Sequence, residues 1–267
     1  MLFGNKKCPN CDSEYDVALP TCPACHTPDR HYDERHISPG IVWFEKWKQI
    51  VLILLSTIGL SIVASFANLF LANEGFDLLI TNLIAYLIAL IGMGFVIAKD
   101  VTNFKSVFKR GYTYLIGAVG CIALYIFSIV YSGIINSITE IEVSTNESIA
   151  DGFIINYPAL AFFIIVFLGP VCEELTYRVG FFSFLYRVKP WLAYVATILI
   201  FAFIHFDAKS FENVDLLRNE FLNLPFYLFA GATFSLLYHK WGLAASLTAH
   251  VANNLLTFIL VYVRSLS

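Results

Sequence analysis

Charge is what this sequence has least of. Of its 267 residues only 14% are Asp, Glu, Lys or Arg, against 58% hydrophobic. A soluble domain carries about 25% charged and 45–50% apolar residues, so there is too little charge here to cover a water-facing surface. That shortage excludes a soluble monomer, and the apolar excess excludes a disordered chain. Basic excess is also missing: 17 Lys and Arg against 20 Asp and Glu give a net charge of −3, which leaves no electrostatic footprint for nucleic acid. Low-complexity tracts and internal repeats are not evident, and the first 48 residues hold no apolar run long enough for a signal peptide. What remains is a polytopic membrane protein.

The scarce charge is unevenly spread. Thirteen of the 37 charged residues fall in residues 1–48; from Val51 onward apolar stretches alternate with short charged loops. A helix needs about 20 apolar residues to cross the ~30 Å hydrocarbon core with every backbone group satisfied internally. The expected spans are 49–73, 77–98, 113–136, 190–206, 222–238 and 243–263, with a longer stretch from Phe153 to Arg187. Lys99, Lys105, Lys109 and Arg110, then Arg187 and Lys189, then His239 and Lys240 mark basic connections, and the alternate connections are acidic. Trp43, Trp47, Trp191 and Trp241 all lie at span ends on the basic side, as an interfacial belt would. Residues 1–48 therefore face the cytoplasm, and the expected location is the cell membrane. This parity makes 153–187 one span, interrupted at Gly169-Pro170 because proline removes an amide donor. The expected architecture is an all-α polytopic membrane protein of seven transmembrane helices, or eight if 153–168 and 170–187 count separately. The sequon Asn146-Glu147-Ser148 is too short a match to carry weight.

Cys8-Pro9-Asn10-Cys11 and Cys22-Pro23-Ala24-Cys25 form two CxxC knuckles with ten residues between them. Four thiolates at this spacing suit a tetrahedral Zn²⁺, and the bound metal replaces the core that so short a segment lacks. A cytoplasmic location keeps the thiols reduced and favours zinc over disulfides. The segment resembles a short zinc ribbon, with Asp12 and His26 where a glycine usually follows each knuckle. A closed four-cysteine shell leaves no open position, so this module is structural or recruits a protein partner. Cys121 and Cys172 lie in apolar runs and read as small buried hydrophobes.

Ionisable groups within a span are costly, so each is a functional hypothesis. Three clusters qualify: Glu173-Glu174-Leu175-Thr176-Tyr177-Arg178, Phe201 to His205, and His250 to Asn254. Glu174 and Arg178, at i,i+4, can neutralise each other, which leaves Glu173 without a local partner. Glu173 lies sixteen residues before Lys189 and His205 sixteen after it. In an antiparallel hairpin turning there, both sit about 24 Å from the turn at ~1.5 Å per residue. His250, ten residues after Lys240, lies roughly 15 Å from the same side and shares a helix face with Asn254. Taken singly, each cluster reads equally well as structural: a hydrogen-bonded histidine, a buried ion pair, one phenylalanine among 25. Their joint order and matching depth favour a site.

EExxxR, then FxxxH, then HxxxN across adjacent membrane helices resembles the CPBP family, the CAAX-processing and bacteriocin-processing intramembrane proteases, also called the ABI family. The resemblance covers about residues 155–260 and leaves out the ribbon and the first two spans. It implies an all-helical membrane core and endopeptidase activity within the bilayer, on prenylated proteins or on peptides. It makes Glu173 the catalytic glutamate, completes the first motif with Glu174 and Arg178, and places His205, His250 and Asn254 in the second and third.

The expected chemistry is peptide-bond hydrolysis by an activated water. Glu173, assisted by His205, takes the proton, and His250 and Asn254 donate to the developing oxyanion. Glu174 and Arg178 hold their helix in register. A zinc version would bind the metal through one Glu and two His, and residue types alone do not choose between the two. A different class, a non-catalytic membrane adaptor or transporter, would use the same charges as a structural or ion site. No serine–histidine pair or paired intramembrane aspartates point to another protease class. The expected organisation is a ribbon at 1–36, a linker at 37–48, amino-terminal spans at 49–152 and the protease core at 153–263. Expected partners are the lipid bilayer, a membrane-associated or lipidated peptide substrate and a protein bound by the ribbon.

Overall fold

The computed structural model describes residues 5–16, 21–29, 40–67, 75–100 and 107–267. The end of the first expected span at 68–73, the charges Glu74 and Lys105, and the expected ribbon boundary near residue 36 lie outside the described residues.

The ribbon is two copies of one turn. Strands β1 (Asn5–Lys7) and β2 (Glu14–Asp16) pair antiparallel, with Asn5 opposite Asp16, around the first knuckle. Thr21 and Pro28 pair as an isolated bridge around the second. In each copy the first cysteine donates its amide five residues on (Cys8 to the Ser13 carbonyl, Cys22 to that of Thr27). In return it accepts from the amide four residues on, Asp12 or His26. Asp12 and His26 adopt φ of 56° and 55°. After glycine, Asp, Asn and His enter this left-handed region most readily, so the two departures from glycine still suit the turn.

Eight helices are described after the ribbon. Helix α1 runs over residues 46–67 and contains a π turn at Leu55–Gly59. Helix α2 (Gly75–Ile97) passes into a 3-10 turn at Ala98–Asp100, and α3 spans Gly111–Asn136. Helix α4 (Thr145–Asn156) starts on the sequence Ser144-Thr145-Asn146-Glu147, where the Ser144 hydroxyl accepts from the Glu147 amide. That is the capping half of an S-x-x-E box, so the sequon sits in the first turn of a helix.

Helix α5 is the long one, Pro158–Tyr186. Tyr157 before it has φ −137°, ψ 56°; a residue preceding proline is pushed out of the α region, and this is where the stretch breaks. The expected interruption at Gly169-Pro170 is not there: α5 passes through it unbroken, and so 153–168 and 170–187 are not separate spans. Its backbone instead widens into π segments on both sides, Phe162–Leu168 and Leu175–Phe182. A π segment lets proline fall at the start of the next α turn, where its ring has no preceding α-type carbonyl to clash with.

Helix α6 (Pro190–Phe203) opens with proline in its first turn after extended Lys189. Helix α7 (Val214–Trp241) is capped by the Asn213 side chain, which accepts from the amides of Asp215 and Leu216. It ends at Gly242, whose φ of 96° only glycine adopts readily, and α8 (Leu243–Leu266) follows at once. Glycine also permits the α3–α8 contact: a Cβ at Gly117 would lie 2.6 Å from the Ala245 carbonyl oxygen, the close approach that small residues give membrane helices.

Among the described residues five helices, α2, α3, α5, α7 and α8, are long and apolar enough to cross a membrane. Helix α6 is apolar but has 14 residues, about 21 Å against a ~30 Å core. The expected total of seven would add α6 and α1. Phe95, Leu115 and Ile129 are 79%, 72% and 70% exposed on α2 and α3, an outward apolar face suited to lipid. Cys121 and Cys172 are buried and free.

Residues 40–45 form a strap across one end of the bundle. Ile41, Val42 and Phe44 are buried with Leu52, Phe182, Tyr186 and Tyr238. The Val42 amide donates to the Tyr238 hydroxyl at 2.9 Å, and Arg187 donates to the Phe44 carbonyl while its guanidinium lies over the Trp43 ring. Gly40 is pressed against the α7–α8 corner, where a Cβ would meet the Tyr238 carbonyl at 2.2 Å.

Candidate active site

The middle of α5, between its two π segments, places Glu173 and Glu174 side by side. Successive helical residues point about 100° apart, so the two carboxylates face different neighbours. Glu174 is fully buried. It accepts from the Ser246 hydroxyl, and its Oε1 lies 3.1 Å from His250 Nδ1. Arg178, also fully buried, brings Nε to 3.5 Å from Glu174 Oε2. The guanidinium makes no hydrogen bond among the described residues; it is held by that charge and by the rings of Phe201 and Phe234 at 5.0 and 5.5 Å, a cation–π sandwich.

A carboxylate only accepts, so the His250 hydrogen facing Glu174 sits on Nδ1 and Nε2 is left for the other side. There it lies 3.8 Å from Glu173 Oε2. The same buried-carboxylate-to-imidazole arrangement orients the histidine of a catalytic triad. His250 also stacks on Phe234, ring centroids 4.5 Å apart. Glu173 Oε2 is buried with no hydrogen-bond partner among the described residues, a lone-pair-rich oxygen left open.

His205 follows the end of α6. Its Nδ1 lies 2.7 Å from the Phe201 carbonyl and its ring stacks on Tyr227. A carbonyl also only accepts, so here too Nε2 is the free nitrogen. Asn254 donates through Nδ2 to the Ile165 carbonyl at 2.9 Å.

Glu173, His205, His250 and Asn254 line one cavity of about 170 Å³ together with Tyr227 and Asn253. Glu174 and Arg178 stand behind it. The sequence reading did not single out Ser246, which holds Glu174, or Phe234 and Tyr227, which support the two imidazoles. Ser246, His250 and Asn254 form an i, i+4, i+8 stripe on α8, so extending the HxxxN pattern back one turn finds the serine. Glu147, from α4 outside the spans, also lines the cavity; burial, then nearby Asp151, push its carboxyl above the usual range.

The four ribbon cysteines gather as expected. Their sulfurs lie within 4.8 Å of one another, with Cys8–Cys25 at 3.5 Å and Cys11–Cys22 at 3.7 Å. A tetrahedron with metal–sulfur bonds of about 2.3 Å has edges near 3.8 Å, so the cluster fits a metal ion. The Thr27 hydroxyl beside Cys25 holds its thiol down at about 5, while burial pushes the Cys22 thiol up to about 11; a bound metal would hold both as thiolates. Among the described residues no other His, Cys, Asp or Glu group comes together in this way, the Glu173, His205 and His250 set included.

The family model described as type II CAAX prenyl endopeptidase Rce1-like matches residues 155–256, somewhat over a third of the chain, which takes in Glu173, Glu174, Arg178, His205, His250 and Asn254 but neither Glu147 nor the ribbon. This segment is similar to that family. The resemblance carried by EExxxR, FxxxH and HxxxN is thus borne out for the core, and it supports a CAAX-type intramembrane protease. No curated protein and no solved structure matches the chain.

Proposed function

We propose that the protein is an intramembrane endopeptidase that hydrolyses membrane-associated or lipidated proteins or peptides with a water activated by Glu173. One observation carries the reading: an unpartnered carboxylate oxygen of Glu173 beside the His250 imidazole, at a cavity among membrane helices. The cavity holds several waters at about 30 Å³ each. A water between Glu173 and His205 Nε2 has two acceptors for its hydrogens. Glu173 takes its proton as the oxygen attacks the scissile carbonyl. As an imidazolium held through Nδ1 by Glu174, His250 donates from Nε2 to the oxyanion, joined by the second Asn254 amide hydrogen; each such donor contributes roughly 3–4 kcal/mol in a preorganised site. Collapse of the tetrahedral intermediate returns the proton to the leaving nitrogen. Arg178 balances Glu174 and keeps the pair buried.

A zinc version would use Glu173, His205 and His250. Their ligand atoms are not gathered as those of the cysteines are, which favours the water-activation reading. Zinc stoichiometry separates the two, with one ion per chain for the ribbon alone and two if the membrane site also binds. The ribbon is a cytoplasmic structural module that holds zinc and receives a protein partner. It precedes the amino-terminal spans and a protease core at 153–263 in the cell membrane.

The deciding experiment is Glu173→Gln, nearly isosteric and without a base. Cleavage of a membrane-anchored reporter should fall roughly 10²–10⁴-fold while thermal unfolding stays within a few degrees of wild type. Cleavage that survives in a folded Glu173→Gln protein rules the protease reading out and leaves the adaptor or transporter reading.

A further inference from the structure

Pro170 lies three residues before Glu173 in an unbroken helix, so the backbone group it leaves unsatisfied must find a donor elsewhere. In the π segment Phe162–Leu168 the pairing runs from a carbonyl to the amide five residues on, and the Gly169 amide accordingly donates to the Ile164 carbonyl. The next carbonyl in that ladder, Ile165, would be met by the amide of residue 170. Proline has none. The donor that reaches Ile165 comes from α8: Asn254 Nδ2, at 2.9 Å.

We propose that Asn254 is a positioning residue: besides facing the cavity, it supplies the hydrogen that Pro170 withholds and so fixes the π register that aims Glu173 at His250. Two further contacts support this. Ser246 and His250, two turns and one turn earlier on the same stripe of α8, hold Glu174, so α8 grips α5 on both sides of Glu173. Gly169 is also closely packed, a Cβ there lying 3.2 Å from the Ile164 carbonyl and 3.9 Å from Glu173 Oε1. If the π turn relaxed to α register, one residue would leave the turn. The segments on either side would then rotate by about 100° relative to each other, carrying Glu173 away from Nε2 of His250.

The activity arm of the test rests on the protease reading; the stability arm does not. Asn254→Ala, Pro170→Ala and the double variant are compared in the full-length protein. The measurements are reporter cleavage and substrate-free thermal unfolding. Asn254→Ala removes an oxyanion donor, about 10²–10³-fold in kcat, and should lose roughly a further 10–100-fold through misplacement of Glu173, with KM within about threefold, and should lower the unfolding temperature. Adding Pro170→Ala restores an amide at position 170. The double variant should therefore recover most of the lost unfolding temperature and at least about tenfold in kcat. If Asn254→Ala does not accumulate folded, accumulation of the double variant is the corresponding recovery. A double variant no better than Asn254→Ala, or an Asn254→Ala protein with unchanged unfolding temperature, overturns the proposal. If the thermal pattern appears while the wild type cleaves nothing, the positioning role stands and the protease reading fails.

Discussion

Replacing Arg178 by Met should strand Glu174. Both side chains are fully buried, with Nε to Oε2 at 3.5 Å. At that distance and an effective dielectric of about 20, their attraction is about 5 kcal/mol. Methionine removes it but also relieves the desolvation of the guanidinium, and its sulfur can pack between the Phe201 and Phe234 rings for roughly 0.3–1.5 kcal/mol. Breaking a buried pair from one side costs about 3–5 kcal/mol, so a net loss near 3–4 kcal/mol is expected. At about 2–4 °C per kcal/mol for a protein of this size, the melting temperature should fall by roughly 6–16 °C. Tryptophan fluorescence in detergent suits the measurement, because none of Trp43, Trp47, Trp191 and Trp241 lines the cavity. Glu174→Gln in the Arg178→Met background removes the stranded charge. It should return most of the stability but not the cleavage, since a neutral amide no longer places a carboxylate behind the His250 imidazole. Arg178→Met melting within about 2 °C of wild type, or a double variant less stable than the single, would refute the reasoning.

Three further outcomes follow from other parts of the molecule. Cys8→Ser with Cys11→Ser removes half of a cluster whose sulfurs lie within 4.8 Å and should take bound zinc from one ion per chain to none by elemental analysis; unchanged content would remove the ribbon assignment. Glu147 has its carboxyl raised by burial and Asp151, so its ionisation costs stability as pH climbs from the ordinary carboxyl value through the raised one. Glu147→Gln should therefore raise the melting temperature at pH 7 and leave it unchanged near pH 4, and an equal difference at both pH values would contradict this. Gly40→Ala places a Cβ 2.2 Å from the Tyr238 carbonyl oxygen. Overpacking there should cost roughly 2–3 kcal/mol and lift the strap, so that limited proteolysis before α1 quickens; an unchanged rate would show that the strap is not held by this contact.

What the sequence made legible was local or periodic. The hairpin turning at Lys189 follows from Pro190 at a helix start, and the depth match of Glu173 with His205 follows from helix rise alone. Both line the same cavity. The two knuckles needed only their spacing. What it hid depended on distant partners. Pro158 and Pro170 look alike in sequence, yet only Pro158 ends a helix, because the carbonyl that Pro170 leaves bare is met by Asn254, 84 residues on. The π segments share this opacity, since nothing in Phe162–Leu168 or Leu175–Phe182 distinguishes five-residue from four-residue pairing. The strap was invisible for the same reason: residues 40–45 carry no periodicity, and their partners, Arg187 and Tyr238, belong to α5's far end and α7.

The adjacent glutamates show why two carboxylates serve where one would not. A single buried carboxylate must either be neutralised, and so be inert, or be left open, and so be costly. Side by side on α5 the two demands separate. Glu174, with no exposure, takes Ser246, His250 and Arg178 and becomes a fixed negative charge behind the imidazole. Glu173, its side chain 19% exposed, keeps an oxygen unpartnered at the cavity. The roughly 100° between successive helical residues makes this division possible, and it also makes the site sensitive to helical register. A helix that slipped by one residue would put the wrong carboxylate against His250. That is why the tethers on α5 matter. Asn254 at Ile165 and Gln49 at Val179 each donate to a carbonyl in one of the two π segments. The Ser183 hydroxyl, itself 2.6 Å from the Tyr238 hydroxyl, donates to the Arg178 carbonyl. Carbonyls on either side of the glutamates are thus held by side chains of α1 and α8, and within α5 by Ser183, which Tyr238 of α7 backs.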